Sequence, residues 1–73
     1  MGRVKRREVQ SSMIRSVGYD EKARILEVEF VSGSVYRYHG VPRELFEGLL
    51  EAPSKGSYFL ERIRGAFEYT RAA

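Results

Sequence analysis

The residues with the means to do chemistry are few and scattered. His39 is the only histidine, and the chain contains no cysteine. A lone imidazole supplies one metal ligand or one proton relay and nothing to complete either site. Glu27 and Glu29 have the two-residue spacing that sets paired carboxylates on one face of a strand, as acid and base groups require. On a solvated strand face the same spacing makes an ordinary charged stripe, and that is the commoner reason for it. No nucleophile elbow and no phosphate-binding Walker loop is present. These residues predict a chain that is not an enzyme and that carries no cofactor or metal.

Two short runs fit binding better than catalysis. Ser54-Lys55-Gly56 offers a serine cap, a cation and free backbone N–H groups at a helix start, a combination that suits an anion such as a phosphate. A plain helix cap, with Gly56 allowing close approach to a sheet, is the simpler account. Arg62 and Arg64 would extend the positive region unless Glu61 and Glu68 neutralise them. The second run is Tyr36-Arg37-Tyr38, which has the aromatic and basic character of sheets that stack single-stranded RNA bases. Alternation along a strand sets Tyr36 and Tyr38 on one face and Val35, Arg37 and His39 on the other. Base stacking is open to the tyrosines only if their face is not the buried one.

The elements that position these residues follow from periodicity. Arg24 to Val31 alternates, with Leu26, Val28 and Phe30 on one face and Ile25, Glu27, Glu29 and Val31 opposite, the clearest strand of the chain. Ser32-Gly33 then turns the chain back as Val35 to His39. An earlier strand over Ser12 to Tyr19 has Ile14 and Val17 three apart, so that a bulge or a twist is needed to keep both inside. Three strands in this order make an antiparallel meander. At Pro42 the period changes: Leu45, Phe46, Leu49 and Leu50 form a helical stripe that ends at Ala52-Pro53. Ser54 caps a second helix carrying Phe59 and Ile63, and Gly65 stops it. Residues 66–70 alternate and read as extended, with a helix continuing to Tyr69 as the alternative. The expected fold class is α+β: a three-stranded antiparallel sheet followed by two short helices packed on one face. Leu26, Val28, Phe30, Tyr36 and Tyr38 would meet those helices, which makes the tyrosines core.

At 73 residues, with 42% hydrophobic and 32% charged residues, the chain has room for one domain with a thin core. The net charge of +3 is unevenly spread. Arg3, Lys5, Arg6 and Arg7 stand in the first seven positions with no acid among them, and the rest of the chain is slightly acidic. Residues 1–8 therefore read as a flexible basic arm and 9–73 as the single domain. Such an arm attracts nucleic acid or an acidic protein surface, with a merely solubilising disordered end as the alternative. With Ile25, Val31, Val35, Arg37 and His39 on the sheet face away from the helices, the arm completes the expected partner-binding set. No apolar run reaches membrane-helix length and no apolar core follows the basic start, so the expected location is the cytoplasm, without a membrane partner or a small-molecule substrate.

The ordered series Ser11-Ser12, Ile14, Gly18-Tyr19-Asp20, Leu26-x-Val28-x-Phe30, Gly33, Tyr36-x-Tyr38, Val41-Pro42, Ala52-x-Ser54-x-Gly56-x-Tyr58-Phe59 and Ile63-Arg64 resembles the KTSC domain. That family is named from the C-terminal extension of some lysyl-tRNA synthetases. The resemblance spans about residues 9–70, and it implies the α+β fold and an RNA-binding role. A stand-alone KTSC-like body behind a basic arm is also similar to small phage regulators of transcription. That likeness implies binding to the beta and beta-prime subunits of bacterial RNA polymerase, inhibition of initiation by sigma displacement, and antitermination near nascent RNA. The place of action would be the host bacterial cytoplasm.

Overall fold

The computed structural model describes residues 5–73. Its elements are β1 (Arg7–Glu8), β2 (Ile14–Asp20), β3 (Ile25–Phe30), β4 (Val35–His39), α1 (Arg43–Glu51), α2 (Lys55–Arg62) and β5 (Tyr69–Arg71). All neighbouring strands are antiparallel and the sheet order is β1-β2-β3-β4-β5. The α+β meander and the two helices are as expected, but the sheet has five strands and not three. The two additions are edge strands of two and three residues, too short to carry an alternation that a sequence pattern can register. Their pairing is long-range: Arg7 stands opposite Val17, and Tyr69 stands opposite Tyr38.

The β2 irregularity is a register shift between Ile14 and Ser16. The extra residue, Arg15, lets Ile14 face Phe30 and Val17 face Val28 on the same side of the sheet. Leu26 pairs with Tyr38 and Val28 with Tyr36, so the face division read from β3 and β4 holds. The core comprises Ile14, Val17, Leu26, Val28, Tyr38, Val41, Leu49, Phe59 and Ile63. Burying such aliphatic and aromatic side chains is worth about 1.5–3 kcal/mol each, which is how a chain without disulfides holds a thin core together.

Short connections set the helices on the sheet. Gly40, at φ +77°, turns the chain out of β4, and the Tyr19 hydroxyl donates to the Val41 carbonyl at 2.6 Å. Tyr19 also stacks on Phe46 of α1, ring centroids 5.1 Å apart, which fastens the first helix. Ser54 caps α2 by accepting from the Ser57 N–H at 3.3 Å. After Arg62 the chain leaves the helix through Gly65 at φ +82° and runs extended, so the alternative of a helix through Tyr69 does not form. The tail then lies along β4: the His39 N–H donates to Glu68, and the Ala72 N–H donates to Val35. Among the described residues no helix is long and apolar enough to cross a membrane.

Candidate binding groove

The two helices do not roof the whole apolar face. Phe59 of α2 closes over Tyr38, with ring centroids 5.4 Å apart at 75°, and leaves Tyr38 only 5% exposed. Two residues back along β4, Tyr36 is half-buried, and across the sheet edge Tyr69 is 58% exposed. The result is an open groove of about 660 Å³ floored by Phe30, Tyr36, Tyr38 and Tyr69. Phe30 meets Tyr36 edge-on at 5.8 Å, Tyr36 lies 24° from parallel with Tyr38 at 6.4 Å, and Tyr69 leans on both at 5.3 and 5.6 Å. Such a cluster is mutually supporting, so its exposed rings hold their places without a ligand.

Charge at the groove is one-sided. Arg64 lines it, and among the described residues no aspartate or glutamate does. Arg71 sits over the Tyr36 ring at 5.9 Å and donates through Nη2 to Ser34 Oγ at 3.3 Å and through Nε to the Ala73 carbonyl at 3.0 Å. Burial pushes the Tyr38 hydroxyl above its ordinary range, with Tyr36 and Tyr69 adding to the rise and the Arg64 charge opposing it. The surface can therefore stack planar groups and attract anions. Among the described residues no group of three or more His, Cys, Asp or Glu converges as a metal site requires.

Of the residues expected to bind partners, Ile25, Val35, Arg37 and His39 share the sheet face away from the groove, and Val31 lies at the groove itself. Val35 is buried, with its N–H and carbonyl both engaged by the tail. Ile25 is half-buried, and Val31 is exposed beyond the end of β3, where it belongs to the rim of the aromatic groove. His39 is half-buried with Nε2 3.1 Å from Thr70 Oγ1. Arg37 donates to Glu27 at 3.1 Å, and Arg6 reaches the other oxygen of the same carboxylate at 3.2 Å. The expected solvated stripe is thus different in fact: Glu27 is 7% exposed and bridged on both sides, while Glu29 accepts from Ser16 Oγ at 2.8 Å. Arg6, just before β1, reaches over this face, a long-range effect that alternation in β3 does not reveal. In the expected basic arm, Arg7 belongs to β1 and Lys5 is exposed, while Arg3 lies outside the described residues. At the expected anion site, Lys55 turns away and donates to the Ala52 carbonyl at 2.8 Å, Ser54 is occupied as the cap, and Gly56 packs near Met13 and Ser11.

The KTSC domain family model matches residues 10–67, most of the chain. The chain belongs to the KTSC domain family. An uncharacterized protein of Stutzerimonas stutzeri is 55% identical over 56 residues, 77% of this chain and 79% of that protein. A lysine–tRNA ligase of Nostoc punctiforme is 43% identical over 60 residues, 82% of this chain but only 11% of the ligase. A crystal structure of a KTSC domain protein from Yersinia pestis superimposes with a TM-score of 0.91 at 38% identity, covering 97% of this chain and 100% of that one. These likenesses support the family and the fold; they do not support identity with a phage regulator.

For this KTSC domain, sequence reasoning named Tyr36 and Tyr38 together, and the fold separates them into a groove residue and a core residue. It missed Tyr69 and Arg71 as site residues, although the alternation of residues 66–70 was visible. What was not visible is the register that sets Tyr69 beside Tyr38 and Arg71 beside Tyr36.

Proposed function

We propose that this KTSC domain is a non-catalytic module that binds single-stranded RNA by taking unpaired bases into the groove of Tyr36, Tyr69 and Phe30. The observation that carries the reading is the 58% exposed ring of Tyr69 beside half-buried Tyr36 and the arginines, in a groove lined, among the described residues, by no aspartate or glutamate. Bases in a duplex are stacked on one another and offer no face to such a floor, whereas unpaired bases do. The relatives named as lysine–tRNA ligases, which contain a similar segment, agree with an RNA setting. The test is fluorescence anisotropy with a labelled single-stranded RNA and its duplex. Preference for the single strand is expected, and equal or absent binding of the two sinks the reading.

A second reading is a contact with bacterial RNA polymerase, in which the domain would inhibit initiation by sigma displacement and promote antitermination. What favours it is that the exposed large hydrophobics Val31, Leu60 and Tyr69 all belong to the rim of one groove, as a protein contact would have them. Recovery of beta and beta-prime subunits from nuclease-treated bacterial lysate, lost in Leu60→Asp, would favour it over RNA. Failure to recover them removes it.

A further inference from the structure

The groove carries a cation at each end of its aromatic floor. Arg71 stands at the Tyr36 end, fixed by the antiparallel pairing of Tyr36 with Arg71 and by its bond to Ser34. Arg64 stands at the other end, in the turn that follows α2, close enough for its charge to act on the Tyr38 hydroxyl. Among the described residues, neither arginine forms an ion pair with an aspartate or glutamate side chain; those pairs involve Arg6, Arg37 and Arg43. Arg64 therefore keeps its charge available to a ligand, and Arg71, bonded to Ser34 Oγ and the Ala73 backbone oxygen, is not neutralised by an acidic side chain.

We infer that the groove holds two successive phosphates of single-stranded RNA, one on Arg64 and one on Arg71, with the intervening bases against Tyr36 and Tyr69. This rests on the RNA reading above and specifies its footprint. A phosphate contact releases counterions and leaves a signature that stacking does not: each contributes about 0.7 to the slope of log affinity against log salt for a single strand. Arg71 holds its phosphate from a guanidinium already fixed over a ring, and Arg64 from an unbonded side chain that turns to meet it.

The experiment is a salt titration of a labelled oligouridylate against the full chain and its variants. Arg64→Gln and Arg71→Gln are each expected to flatten the slope by about 0.7, and the double variant by about 1.4. Between roughly 50 and 200 mM salt the loss of affinity then shrinks by about 2.6-fold per arginine and about 7-fold for both. Arg64→Lys retains the slope because it retains the charge. Tyr69→Ala weakens binding with the slope unchanged. If the wild type binds and Arg64→Gln keeps the full slope, the two-phosphate footprint is wrong while RNA binding survives. If the wild type does not bind, both fall. Arg64 makes no side-chain hydrogen bond among the described residues, so Arg64→Gln decides the matter even if Arg71→Gln fails to fold.

Discussion

Tyr69→Ala separates a binding role from a structural one. The Tyr69 ring is 58% exposed and lies in a three-residue edge strand, so truncation forfeits under half of what burying a whole aromatic would return. Full burial of a large apolar side chain is worth about 1.5–3 kcal/mol, which leaves about 1 kcal/mol for this ring and its contacts with Tyr36 and Tyr38. The fold should survive with a small shift of the urea midpoint and an unchanged slope of the unfolding transition. Binding should suffer more. An aromatic that stacks a base contributes about 1–3 kcal/mol, so affinity for single-stranded RNA should fall roughly 5- to 150-fold. The assay is anisotropy on protein first shown to unfold cooperatively. Wild-type affinity in folded Tyr69→Ala refutes the groove as the RNA site. A stability loss as large as that of a core truncation refutes the assignment of Tyr69 as an exposed groove residue.

Other outcomes follow from the same geometry. Tyr38→Ala, at a ring packed under Phe59, should cost about 3–5 kcal/mol by urea denaturation; a loss below about 1 kcal/mol would place Tyr38 outside the core. The raised Tyr38 ionisation means that the unfolded chain loses this proton first, near the ordinary 10.0. The Tyr38 contribution is therefore intact below about pH 10 and is lost as pH rises beyond it. Tyr38→Phe should make the alkaline fall in stability shallower, and an unchanged profile would contradict the linkage. Around Glu27 the two sides of the bridge should cost unequally. Glu27→Gln leaves arginines whose side chains are 32% and 49% exposed and can turn to water, at about 1 kcal/mol. Removing both Arg6 and Arg37 strands a buried carboxylate, at about 3 kcal/mol. Equal costs in denaturation would show that burial of Glu27 is not what the arginines compensate.

Strand and helix positions were largely legible because each rests on a local pattern. Leu26, Val28 and Phe30 alternate, Leu45 and Leu49 repeat at four, and Ser54 announces a helix start. The Ile14–Val17 spacing even demanded the irregularity that β2 contains. The groove was harder to see. A tyrosine whose alternation points to the helix side is read as core, and this holds fully for Tyr38 and in part for Tyr36, which packs against the core but stays half-buried.

The sequence by itself determined the family, the meander, the two helices and the division of β3 and β4 into faces, since hydrophobic period and turn residues are properties of neighbours in the chain. Only the tertiary structure decided that the sheet has five strands, that Glu27 is buried between Arg6 and Arg37, and that Lys55 is spent on a helix end. It also decided that the aromatic pair has one buried member and one half-buried member, joined by Tyr69 and flanked by Arg64 and Arg71. The reason is common to all of these. Each depends on partners far apart in sequence, Tyr36 with Arg71 and Glu27 with Arg6, whose meeting is set by strand register and by how much of a sheet two short helices can cover.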